Sequence, residues 1–163
     1  MCCAEFGLPV YRSIKDRTEA DVWECTHVGG DRFAANIVIL PEGLHYSRLT
    51  PSTADLPIDS YLKGRIHLPN YRGRSSLTMA EQAAEHAVRV KTDTTLVDTV
   101  EIIATADKAQ SKVVMVMCDA TRFRVTLRET PVLEDGVYHD CGHHDTPDMW
   151  TSWTSADVRI ELD

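Results

Sequence analysis

A helix whose inner face is almost free of bulk sets the strongest limit on how this chain folds. Within residues 77–89, Ala80, Ala83, Ala84, Ala87 and Val88 fall on one continuous stripe, because positions three and four apart share a helix face. A stripe of small side chains lets the helix lie close against a sheet. Thr78 stands where an N-cap belongs, and Glu81 three residues on completes a capping box that satisfies two otherwise orphan amides. The sheet is supplied downstream. Residues 97–104, 112–117, 121–128 and 158–162 are rich in apolar and β-branched side chains, and each reads as a strand.

The first half has a different character. Residues 5–16 predict a helix with Phe6, Val10 and Ile14 on one face, Pro9 being tolerable only near its start. Residues 21–26 read as a short strand. Residues 36–49 read as a hairpin, with Ile37 to Leu40 on one arm, a turn at Pro41, Glu42 and Gly43, and an alternating second arm. A loop over 50–57, a short helix over 58–63 and a basic loop from Tyr71 to Ser75 complete it. With the shift in composition near residue 92, the expected organisation is an α/β region over 1–92 and a small β extension over 93–163. No internal repeat or low-complexity segment interrupts it.

Bulk properties narrow the class. The 163 residues, 43% of them hydrophobic, suit one domain or one domain with an extension. A chain of this size buries roughly 70% of its unfolded surface and needs no disulfide framework. The five cysteines, at 2, 3, 25, 118 and 141, form an odd, irregular set, unlike a secreted scaffold. Cys118 lies in an apolar run and reads as a buried, inert thiol. A formal net charge of -8 argues against a nucleic-acid or anionic-membrane surface. There is no long apolar run and no basic-plus-apolar leader pattern. The expected location is therefore the cytoplasm.

Chemistry-bearing residues gather in three places. Cys3, Cys25, His27 and Asp31 lie near the ends of the first helix and first strand. Thiolate and imidazole together suit zinc or an iron–sulfur cluster; the structural alternative is a buried Cys25 on a strand and a surface His27. Gly29 and Gly30 follow the histidine, and without Cβ atoms they let the backbone turn and a ligand approach closely. The second cluster, from His139 to Asp145, reads either as a zinc or nickel site or as a solvated loop, with Trp150 and Trp153 covering the apolar end of the β extension. Third, Arg72 and Arg74 read either as a site for an anion or an acidic redox partner, or as a solvated loop. No G-x-S-x-G, P-loop or G-x-G-x-x-G pattern occurs, which removes sequence support for serine hydrolase, nucleotide hydrolase and Rossmann readings.

The segment from Cys2 to Tyr11 resembles the cysteine-pair segment of the sucrase/ferredoxin-like family, thioredoxin-like 2Fe–2S ferredoxins. Trp23 to Asn36 is similar to that family's W-E-C-S/T-H-x-G-G-H-R-F-A-A-N block, and Pro41 to Tyr46 to its P-x-G-L-x-Y hairpin. Tyr71 to Ser75 resembles its Y-R-G-R-S, Ala80 to His86 its x-Q-A-A-E-H helix start, and Cys141-Gly142, Pro147 and Trp153 its C-terminal tail. The likeness runs nearly end to end.

The resemblance implies a thioredoxin-like sheet with helices and a cluster held by two cysteines, spaced C-x8-C, and two histidines in H-x-G-G-H. Carried over by position, Cys3 matches the second cysteine and His27 the first histidine, while Asp31 stands where the second histidine belongs. The first cysteine, and the strand leading to it, would precede Met1. The expectation is thus a chain lacking its N-terminal part, with an open sheet edge through which copies pair, or a longer product that supplies both. The implied activity is one-electron transfer to an unidentified redox partner protein, at a potential raised by imidazole ligation and partly lowered again by Asp31. Competing readings are a cluster-free binding or structural paralogue and a sugar hydrolase; the latter needs a flanking carboxylate pair that no pattern among the 25 acidic residues singles out.

Overall fold

The structure is a computed structural model that describes residues 2–30, 33–109, 111–132 and 150–161; side chains are described throughout these except at 2, 3, 131, 132, 150–152, 155 and 156. The described residues form a mixed α/β chain with three α-helices, a three-stranded sheet and a four-stranded sheet. They divide into two compact units, one built on Met1–Arg72 and the other on Gly73–Val132 with the last strand.

In the first unit, α1 spans Cys2–Ile14. Val10 and Ile14 are buried as their spacing predicts, whereas Phe6, on the same face, is half exposed. Residues 21–28 form no strand, contrary to the expectation for 21–26. Their alternation meets no partner strand, and Trp23, Glu24, Cys25 and Thr26 are all exposed, so neither ladder nor burial holds them in a sheet. The hairpin forms as expected: β1 (Ile37–Ile39) pairs antiparallel with β2 (Leu44–Tyr46), Ile37 opposite Tyr46 and Ile39 opposite Leu44. Leu44 and Tyr46 are wholly buried; His45, between them, points to the other face because successive strand residues alternate.

The short helix α2 covers Asp55–Tyr61, starting three residues before the expected 58–63. Pro57 sits in its first turn, where a missing amide proton breaks no helical bond. The Tyr61 hydroxyl donates to the Glu42 carboxylate at 2.6 Å, tying α2 to the hairpin turn. Next to β2 in the sheet lies β3 (Tyr71–Arg74), within which the boundary between units falls. This corrects the expected basic loop: Tyr-Arg-Gly-Arg alternates, with Tyr71 and Gly73 buried.

In the second unit, α3 spans Met79–Thr92 and its capping box is complete. The Thr78 amide donates to Glu81 Oε2 at 2.8 Å, and the Glu81 amide to Thr78 Oγ1 at 3.4 Å. Burial works against the ionised Glu81 carboxylate, but hydrogen bonds from Thr105 and Thr78 outweigh it and hold its pKa below the usual value. The strands β4 (Val100–Lys108), β5 (Ser111–Cys118), β6 (Thr121–Val132) and β7 (Trp150–Ile160) make an antiparallel meander in that order. Val114 lies opposite Val125, and Val116 opposite Phe123. These four side chains join Ala80, Ala84, Val88, Val100, Cys118 and Leu127 in one core, with Trp153 packed against it. The small-residue stripe of α3 thus meets a sheet as anticipated. The two compact units divide between Arg72 and Gly73, ahead of α3.

An ion cluster fixes Gly73–Val100 internally. Glu85 and Arg89 are buried; Glu85 Oε1 accepts from Arg89 Nη2 at 2.9 Å and from Arg74 Nε at 3.2 Å. Arg89 also donates to the Leu96 and Val97 carbonyls, at 2.7 and 3.0 Å, and Arg74 to the Val97 carbonyl. Among the described residues, no helix is long and apolar enough to cross a membrane.

Candidate functional site: the His27 to Gly30 loop

The loop after His27 is shaped by its two glycines. Gly29 has φ +85° and Gly30 has φ +75°, the left-handed region where side chains with a Cβ are strained. Steric room separates the two. A Cβ on Gly29 would meet nothing within 4 Å, but one on Gly30 would lie 2.4 Å from Arg72 Nη1 and 3.2 Å from Arg72 Cζ. Gly30 is therefore favoured by its dihedral, and a Cβ there would push aside the end of the flexible Arg72 side chain.

Asn36 secures the loop from its other side. Its Nδ2 donates to the Gly29 carbonyl at 3.2 Å and to the Gly30 carbonyl at 3.1 Å. The Phe33 amide donates to the Gly30 carbonyl at 2.9 Å, closing the turn. Phe33 in turn gathers cations. Arg72 Cζ lies 4.7 Å and Arg48 Cζ 5.2 Å from its ring centroid, within range of cation–π attraction. Arg48 is anchored by its own amide, which donates to the Phe33 carbonyl at 2.8 Å, and it adopts φ +54°. His45 completes the group: burial first, and the Arg72 charge second, hold its pKa below the ordinary histidine value.

The sequence-predicted ligands fare unequally. His27 is exposed at the head of the loop, and Cys25 is exposed rather than buried on a strand, its Sγ 3.9 Å from the His27 carbonyl oxygen. Cys3 lies in the first turn of α1, but its side chain, like the whole of Asp31, is outside the described residues. The His139 to Asp145 cluster lies outside them too. Among the described residues no group of three or more His, Cys, Asp or Glu is placed to hold a metal. The expected pairing of Arg72 with Arg74 gives way to Arg72 with Arg48, since Arg74 is engaged by Glu85 and Val97. Cys118 is buried as expected, 3.7 Å from Thr92 Oγ1.

Sequence reasoning missed Asn36, Arg48 and Phe33 as a group. Asn36 closes the Trp23 to Asn36 block and was legible as part of it. Arg48 carried no signal: it reaches Phe33 only because the chain after β2 runs back along residues 33–35, with the Leu49 amide donating to the Ala35 carbonyl.

No curated protein and no solved structure matches the chain significantly. The sequence model of one family, described as sucrase/ferredoxin-like, matches residues 1–73. That stretch contains α1, the glycine loop, the hairpin and most of β3, while the α3 motif and the C-terminal tail lie beyond it. The chain's likeness to the sucrase/ferredoxin-like family is thus a likeness of residues 1–73.

Proposed function

We propose that residues 1–73 carry a one-electron redox site, a 2Fe–2S centre with Cys3, His27 and Asp31 among its ligands. The observation that supports this most is the construction of the Gly29-Gly30 turn. A backbone turn with no Cβ, braced by Asn36 and Arg72, stands immediately after the histidine that the family resemblance makes a ligand.

The donor kinds suit iron, since thiolate, imidazole and carboxylate all bind it. They account for three of the four protein ligands that such a cluster takes. When bound, the centre would exchange single electrons with a partner protein. The chain's own part is to hold the loop open at Gly29, to keep Arg72 behind it and to leave His27 at the surface.

Anaerobic reconstitution of the full chain with iron and sulfide tests this. Bound iron and acid-labile sulfide in equal amounts are expected, with visible absorption that bleaches on reduction and is lost in His27→Ala and in Cys3→Ser. Wild-type protein that stays colourless and iron-free contradicts it. A second reading, a cluster-free binding module of the same fold, is favoured by one specific residue, Asp31, which puts a carboxylate where the family has an imidazole.

A further inference from the structure

We infer that a water molecule is bound beneath the Gly29-Gly30 turn, between the Ser47 hydroxyl and the Asn36 side-chain oxygen, and that Ser47 positions the turn through it. The inference goes beyond the redox reading and holds for the chain with or without a cluster.

Asn36 Oδ1 and Ser47 Oγ are both buried, and among the described residues neither has a hydrogen-bond partner. Ser47 is 5% exposed, and its backbone is fully engaged: its amide donates to the Asn70 carbonyl at 3.0 Å, and its carbonyl accepts from Asn70 Nδ2 at 3.0 Å. The Asn36 side chain is half used. Its Nδ2 holds the Gly29 and Gly30 carbonyls, and Oδ1 is left over. The large majority of buried polar side-chain atoms in native proteins are hydrogen-bonded, to protein or to ordered water, because leaving one unpaired costs more than a made bond returns.

The fold brings the two residues together. Asn36 precedes Ile37 and Ser47 follows Tyr46, and Ile37 lies opposite Tyr46 in the hairpin. On the other side the Leu49 amide donates to the Ala35 carbonyl at 3.2 Å, so Asn36 and Ser47 are enclosed between two contacts that join their segments. Val38 lies opposite His45. Alternation puts Asn36 on the Val38 side and Ser47 on the His45 side, which is one face, and the Gly29-Gly30 turn lies over it where Asn36 reaches both glycine carbonyls. An amide oxygen only accepts, whereas a hydroxyl both donates and accepts. Water joins the two: it donates a proton to Asn36 Oδ1 and accepts the Ser47 hydroxyl proton, which meets the minimum of two polar partners for a buried water. With Oδ1 tied down, the plane of the Asn36 amide is fixed and its Nδ2 meets both carbonyls. Ser47 is thus a positioning residue for the turn that follows His27.

The test uses the full chain without any cluster, so its outcome is separate from that of the iron and sulfide analysis. Magnetic relaxation dispersion of oxygen-17 in the solvent counts the waters that stay bound longer than the protein tumbles. Ser47→Ala, which removes one oxygen and adds no bulk, is expected to lower that count by a single water. The Phe33 amide closes the turn on the Gly30 carbonyl. Its hydrogen exchange is expected to quicken about fivefold in Ser47→Ala, the equivalent of one hydrogen bond, while exchange at Val125, in the core of the second unit, stays unchanged. The same water count in wild type and Ser47→Ala overturns the inference, as does a Phe33 amide that exchanges at the wild-type rate. A urea midpoint higher in Ser47→Ala than in wild type also overturns it, since a hydroxyl with no partner is better removed.

Discussion

Gly30 is held by a side chain six residues on, Asn36 on its carbonyl, and by one distant in sequence, Arg72, packed where its Cβ would be. Adding a methyl group at either glycine forces a Cβ into the left-handed region, at about 1–2 kcal/mol. At Gly29 that is the whole cost, because the space is open. At Gly30 the new Cβ also displaces the Arg72 guanidinium from Phe33, and a cation–π contact contributes a further ~0.5–1 kcal/mol. Gly30→Ala is therefore expected to destabilise the protein more than Gly29→Ala in urea unfolding, and to move the Arg72 Nε–H resonance where Gly29→Ala does not. Equal losses with an unmoved Arg72 signal would refute the packing argument. The glycine pair itself was legible in the sequence, because two adjacent glycines after a strand-like run imply a turn. The arginine behind it was not: 42 positions separate Gly30 from Arg72, and only the folded hairpin brings them together.

At the scale of elements, α3 shows which parts of a fold a sequence discloses. Its cap, its period and its small-residue face are all local, and each is found as read. The ion cluster on the same helix is not local, since it draws Arg74 from β3 and carbonyls from residues 96 and 97. Among the described residues, Glu85 is the carboxylate that both guanidinium groups contact there. Removing its charge strands both, and breaking a buried pair in this way costs about 3–5 kcal/mol. Glu85→Gln should lower the urea midpoint accordingly; a loss below about 1 kcal/mol, the scale of a surface pair, would show that the cluster contributes no more than an exposed one. The two misread elements fail for physical reasons. Residues 21–26 have a strand's alternation but no neighbour to pair with. Tyr71 to Ser75 has a loop's composition, yet Gly73 is there because a Cβ would lie 2.5 Å from the Gln82 side chain.

For the whole molecule, the account joins two compact units: residues 1–73 carry the likeness to the family, and the second unit is a helix on an antiparallel meander. The redox claim belongs to the first unit alone. Its direct test is the environment of iron in reduced, reconstituted protein grown with nitrogen-15 histidine, read by pulsed electron paramagnetic resonance. The proposed ligand set of Cys3, His27 and Asp31 predicts a single class of strongly coupled imidazole nitrogen, and predicts its loss in His27→Ala. A paramagnetic cluster with no coupled nitrogen, a coupling that survives His27→Ala, or no cluster signal at all would contradict the account.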